Sequence, residues 1–331
     1  MKKKTLGLIL LTVLSMACAK KDEKIKVWIY TSLYKDTVSH LKNKMEKDFP
    51  NVDLQFYQAG SEEVAAKVQA ESMAGKIQSD ILISSDRFWY EDMGAKGVLL
   101  SYRPAGTEQV DVTFKHPQAF YTAVALPIMV MAYNSEVITK NQAPKSFLEL
   151  TNPIWKDKVS SGSPLASGTC FTTVAYLSKK FGWDYFSALR KNNFIAEGGN
   201  SGVIRRLQSK ERPVGIVLLE NLLRLTKTDP RIKVIYPNDG AVIQTNVLAI
   251  VKKEENQEIT KKIADWMFSK LAQEEMVHSF MYATVPGYPA PNGAPELSEL
   301  LKKTQPLTNE FISETMKSRD QIKDQFAKIV F

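Results

Sequence analysis

Residues 159–177, VSSGSPLASGTCFTTVAYL, place small and hydroxyl-bearing side chains at the entrance to a helix. A short β-type run passes through Ser160, Ser161, Gly162, Ser163 and Pro164 into an apolar helical pattern, and Ser167, Gly168 and Thr169 fall where that helix starts. The first backbone N–H groups of a helix have no partner within it, and the helix dipole adds partial positive charge there. Glycine admits a ligand close to the backbone and the hydroxyls add donors, so the stretch suits phosphate, phosphonate or carboxylate. The competing reading is local: Ser167 or Thr169 simply caps its own helix. A second turn of the same kind, EGGNSG, sets Asn200 and Ser201 at another helix start, after which residues 213–218 form a strand ending near Glu220 and Asn221.

Further polar residues stand at strand ends. Thr31 and Ser32 follow the β-branched and aromatic run 25–30, and Ser84, Ser85 and Asp86 follow a strand at 80–83. Helices are expected at 34–49 and 61–74, the second capped by Ser61 and stopped by Gly75. Strand, helix, strand, helix, strand in this rhythm means a parallel sheet covered by helices, and ligands of such sheets bind beyond the carboxyl ends of the strands.

Catalytic signatures are missing. The chain has no G-x-S-x-G, Walker loop or H-E-x-x-H, and His40, His116 and His278 are scattered along it. Cys170 beside Phe171 suits core packing rather than nucleophilic attack. No enzymatic activity, cofactor or metal is therefore expected.

The positioning elements fit into 331 residues with 44% hydrophobic and 24% charged content, a globular composition large enough for two cores. Lys2, Lys3 and Lys4, an apolar run at 6–14, then Ser15 and Ala17 before Cys18 describe an export leader over 1–17. It resembles a bacterial lipoprotein signal. Cys18 would carry lipid, 18–23 would be a tether, and the product would sit in the periplasm or cell envelope as a membrane-anchored lipoprotein. Loss of the three leader lysines lowers the formal charge from +8 to +5, without a dense basic cluster, so no nucleic-acid partner is expected.

Two α/β units emerge, joined by apolar runs near 129–133 and 244–250. The expected division is a first lobe of 24–130 and 244–331 and a second lobe of 131–243. Helical patterns are expected at 182–191, 257–271, 273–280 and 309–329.

The residues YTS (30–32), GSEEVAAKVQAESMAGKIQSDILISSD (60–86), YN (133–134), TNPIWKDKVSSGSP (151–164) and GGNSGVIRRLQSKERPVGIVLLEN (198–221) together resemble type 2 periplasmic solute-binding proteins. The branch is that of ferric-iron, sugar-phosphate and phosphonate receptors of ABC importers. The resemblance implies an α/β fold of two parallel-sheet lobes joined by two crossing strands, a ligand cleft closed by a hinge, a monomeric receptor and an ABC permease as partner. Carried over position by position, it implies a ligand shell of Thr31, Ser32, Ser84, Ser85, Asp86, Ser163, Ser167, Gly168, Thr169, Asn200, Ser201 and Glu220.

Ferric-binding members carry adjacent tyrosines after the strand corresponding to 214–218. This chain reads Leu218, Leu219, Glu220, Asn221 there, without the phenolates that ferric iron needs. A small phosphorylated or phosphonate-like anion is the expected ligand, with Asp86 and Glu220 accepting from its hydroxyls or amine. The alternatives are ferric iron, or thiamine and its phosphates against Tyr30, Trp89 and Tyr288.

Overall fold

The computed structural model describes residues 24–304 and 307–331. The expected leader, the tether and Cys18 lie outside the described residues. The chain opens with β1 (Ile25–Thr31), α1 (Lys35–Asp48), β2 (Val52–Gln58), α2 (Ser61–Met73), β3 (Ile81–Ser84) and α3 (Arg87–Ala95). β1 lies between β2 and β3 and pairs in parallel with both, as crossover helices between strands require. The helix 34–49 begins one residue late and Gly60 takes the N-cap place of α2, so Ser61 sits inside the first turn.

β4 (Thr122–Leu126) and β5 (Ile128–Asn134) are separated only by Pro127. Proline has no N–H to give a ladder, and here the chain leaves one sheet for the other. There follow β6 (Val159–Ser161), α4 (Gly168–Phe181), α5 (Trp183–Lys191), β7 (Ile195–Ala196), α6 (Asn200–Ser209), β8 (Val214–Leu218), α7 (Leu219–Thr226) and β9 (Ile232–Ile235). β10 (Val242–Ile243) and β11 (Asn246–Ile250) bring the chain back. The first sheet has the order β12-β4-β11-β3-β1-β2, with β12 (Tyr282–Ala283) at its edge; the second runs β10-β5-β8-β6-β7, with β9 also on β5. Parallel pairing holds in β2-β1-β3 and in β7-β6-β8, while β11 and β5 are antiparallel to their neighbours.

Both changes of sheet are sharper than the sequence reading had them. One falls at Pro127 rather than 129–133, and the other at Gln244 and Thr245, the first residues of the run expected near 244–250. The Gln244 amide donates to the Pro127 carbonyl at 2.9 Å, so the two crossings lie side by side.

The remaining helices are α8 (Gln257–Trp266), α9 (Lys270–His278), α10 (Leu297–Leu301), α11 (Asn309–Lys317) and α12 (Arg319–Val330). The helix expected over 257–271 stops early, because Ser269 caps α9 by accepting from the Ala272 amide. The single helix expected over 309–329 breaks at Ser318. That break redirects the chain. Phe326 is fully buried against Phe186 of α5, ring centres 5.3 Å apart at 76°, a contact worth ~0.5–1.5 kcal/mol beyond the area it buries. Residues 309–331, grouped on sequence with the first lobe, thus end on the core of the second, with Phe311, Ile312 and Val330 beside Phe171, Leu177 and Leu189. The first lobe keeps its own core, where Leu41 and Met45 of α1 meet Ile29, Leu54 and Ile83 of the sheet. Among the described residues, no helix is long and apolar enough to cross a membrane.

Candidate functional site

A cavity of about 160 Å³ lies between the two sheets, at the carboxyl ends of their strands. Ser32, Leu33 and Tyr34 reach it from the end of β1, and Gly60 and Ser61 from the end of β2. Ser85 comes from β3, while Pro127 and Asn246 come from the two crossings. The second lobe supplies Ala166, Ser167, Thr169, Gly199, Asn200, Ser201, Leu218, Glu220 and Asn221.

Five helices begin on this cavity. Their N-cap residues are Tyr34 for α1, Gly60 for α2, Ser167 for α4, Gly199 for α6 and Leu218 for α7, and all five line it. None of the five caps its helix through a side chain. Elsewhere capping does occur: Asp86, Ser269 and Thr308 each accept from the first turn of their own helix. Local capping is therefore ruled out for Ser167, and first-turn donors with their dipoles converge on one small space.

Side chains complete the polar wall. Thr169 Oγ1 lies 3.0 Å from Ser167 Oγ and accepts from Asn200 Nδ2 at 3.0 Å. The Leu218 amide donates to Asn200 Oδ1 at 3.3 Å, which fixes which way that amide faces. Across the cleft, the Gly168 amide donates to Ser61 Oγ at 2.7 Å. Tyr34 donates to Asn221 Oδ1 at 2.5 Å.

No Lys, Arg or His lines the cavity among the described residues. Its ionisable groups are Tyr34 and Glu220. Burial pushes the Glu220 carboxyl up to about 8, against the backbone amides of Glu220 and Ile128 and the charge of Arg224. Glu220 is consequently protonated at neutral pH and can itself donate a hydrogen bond. Burial and the neighbouring Glu220 likewise raise the Tyr34 phenol well above its ordinary value.

Of the residues expected from sequence, the structure brings Ser32, Ser85, Ser167, Thr169, Asn200, Ser201 and Glu220 to the cavity. The others do not line it. Thr31 is buried and accepts from the Leu33 amide at 3.0 Å; Ser84 is buried in β3 opposite Val247. Ser163 accepts from the Leu165 amide at 3.1 Å, and the Gly168 amide is held by Ser61. Asp86 is the clearest departure. Its buried carboxylate caps α3 through Trp89 and pairs with Arg319 at 2.5 Å, so it does not serve the cavity. Tyr34, Gly60, Ser61, Asn221 and Asn246 were missed. Ser61, a hydroxyl read as a cap, and Asn221, at the end of a strand, carried a signal.

The aromatic faces considered for thiamine are not assembled. Tyr30 is buried with its hydroxyl on Glu71 at 2.7 Å, Trp89 lines a separate groove between α2, α3 and α11, and Tyr288 does not line the cavity. That outer groove is larger, about 640 Å³, and unlike the cavity it is lined by the basic side chains of Lys96, Lys317 and Arg319. Where ferric-binding proteins have paired tyrosines, Leu218 lines the cavity and Leu219 is buried.

Comparison with known proteins follows the same lines. A family model described as bacterial extracellular solute-binding protein matches residues 77–314. The periplasmic binding protein AfuA of Actinobacillus pleuropneumoniae, solved with exogenous fructose-6-phosphate bound, superimposes with TM-score 0.81 at 22% identity, over 93% of this chain and 99% of that one. Iron-bound HitA of Pseudomonas aeruginosa gives TM-score 0.79 at 16% identity, over 93% and 100%. An uncharacterized Haemophilus influenzae protein is 22% identical over 237 residues, 68% of this chain and 67% of that protein. A probable ABC transporter periplasmic-binding protein of Sinorhizobium fredii is 21% identical over 224 residues, 65% of this chain and 62% of that protein. The match therefore spans less than two thirds of the Sinorhizobium relative.

Proposed function

Because the chain belongs to the bacterial extracellular solute-binding proteins, the type 2 periplasmic receptors of ABC importers, we propose that it captures a small phosphorylated or phosphonate-type anion in the cleft between its lobes. The observation that carries this reading is the convergence of five helix starts, none capped by the side chain of its own N-cap residue, on a cavity with no basic side chain among the described residues. Neutral donors suffice for such a ligand, since several hydrogen bonds to one charged oxygen are each stronger than neutral pairs. Protonated Glu220 adds a donor rather than a repelling charge. The space of about 160 Å³ favours a compact solute.

Capture proceeds by the lobes closing about the crossings at Pro127 and Gln244, with the Ser61–Gly168 hydrogen bond made in the closed form. The closed receptor then docks on a membrane permease, held nearby by lipid on Cys18, and acts as a monomer. Calorimetric titration of the mature protein with hexose phosphates, aminoethylphosphonate, thiamine phosphates and ferric citrate tests the ligand class. The expected result is one-to-one binding of a phosphorylated or phosphonate compound. Tight binding of ferric iron with indifference to every phosphoryl compound would overturn it.

A further inference from the structure

Two of the three histidines, scattered in sequence, meet on the outside of the first lobe. α1 and α9 pack together, and Glu275 and His278, three residues apart on α9, share the face that His40 of α1 approaches. His40 Nδ1 lies 2.9 Å from Glu275 Oε1, and His278 Nδ1 lies 3.6 Å from the same oxygen. All three ligand atoms fall within 4.8 Å of one another, and the imidazoles are stacked at 6.0 Å with a 27° tilt.

We propose that His40, Glu275 and His278 bind a divalent transition metal of the zinc class, outside the solute cleft. Donors bonded to one ion at about 2.0–2.2 Å lie at most about 4.4 Å apart, a span that both Glu275–imidazole contacts already meet. Two imidazoles with one carboxylate suit zinc, nickel or copper rather than calcium or magnesium, which prefer all-oxygen shells.

The surroundings are built for it. The Glu275 carboxylate is 3% exposed, and its second oxygen is held by Lys44 Nζ at 2.6 Å, which leaves Oε1 turned toward both imidazoles. Such outer-shell contacts set the direction of a ligand. The histidine side chains are 49% and 76% exposed, which gives an ion an entry path and leaves coordination positions to water. The site adjoins a contact between lobes: the Ser279 carbonyl, one residue beyond His278, accepts from Arg224 of α7 at 2.9 Å, and Thr37 of α1 donates to Ser279 Oγ at 2.9 Å. A metal bridging α1 and α9 braces the surface on which Arg224 docks.

The test uses mature protein without an affinity tag, titrated with Zn²⁺ against a chromophoric chelator and with Co²⁺ followed by its visible absorption. Wild type should take up one equivalent, show the intensified Co²⁺ bands of a low-coordinate site, and unfold at higher temperature with Zn²⁺ present. His278→Ala should weaken binding by about tenfold or more, and the pair His40→Ala with His278→Ala should abolish it. Both side chains are exposed, so these variants should fold; unchanged unfolding temperatures without metal verify that. Equal Zn²⁺ affinity in the double variant, or no binding by wild type, would overturn the assignment.

Discussion

The Gly168 amide donates to the Ser61 hydroxyl at 2.7 Å, joining the first turn of α4 in the second lobe to that of α2 in the first. A Cβ on Gly168 would lie 2.9 Å from Asp86 Cβ and 3.0 Å from Ser61 Oγ. The lobes meet here because residue 168 has no side chain.

Gly168→Ala should therefore hinder closure more than folding. Solute affinity is expected to fall at least tenfold, with the loss mainly in dissociation rate, while the urea midpoint of the solute-free protein moves little. Small-angle scattering with ligand would then report a more open form than wild type. A variant that closes and binds normally would remove Gly168 from the closing surface.

Thr169→Val and Ser201→Ala should each weaken solute binding by ~1–3 kcal/mol through donors left unmade. Thr169→Val is expected to be the larger, since it also strands the Asn200 amide that donates to Thr169 Oγ1. Calorimetry on both variants checks the order. Equal affinities for wild type and Thr169→Val would exclude the Ser167–Thr169–Asn200 cluster from the ligand shell.

Glu220 gives a pH signature. Its folded-state value of about 8 stands above its ordinary value of 4.5. Between those two values the folded protein keeps a proton that the unfolded chain releases, so this group lowers stability progressively as pH rises, with no further loss above about 8. Glu220→Gln cannot titrate. Relative to wild type it should gain stability across that window, at a slope of up to roughly 1.4 kcal/mol per pH unit. Anion affinity of wild type should also drop above pH 8, while that of Glu220→Gln stays level. Denaturant unfolding and titration at pH 5, 7 and 9 supply both readouts, and parallel curves for the two proteins would contradict the prediction.

Arg319→Met should destabilise the fold. Asp86 is buried, and its carboxyl is raised by desolvation, which the Arg319 charge opposes. Arg319 also pairs with Glu62 at 2.8 Å, where Lys323 joins it at 2.8 Å. Removing one partner of a buried pair leaves an uncompensated charge, at about 3–5 kcal/mol. Equilibrium urea unfolding measures it; a cost below 1 kcal/mol would show that Asp86 and Arg319 are not coupled as described.

Much of the architecture was readable along the chain. Alternating strand and helix patterns and the turn residues between them are local features, and they determined most of the elements and the α/β class. The Gly/Ser turns ahead of α4 and α6 likewise announced two helix starts with spare donors. Ser201, Asn200, Thr169 and Ser167 were found that way.

Tertiary structure alone decided which polar groups face the ligand and which face the protein. A strand-end carboxylate such as Asp86 looks like a ligand until Arg319, 233 residues later, reaches it. Tyr34 and Asn246 carry no local mark, yet strand pairing sets them around one cavity. His40 and Glu275, 235 residues apart, gain their meaning only when α1 lies against α9. Pattern determines an element because backbone propensity is short-range. A site depends on which distant side chain arrives first at each exposed donor, and that is settled by packing.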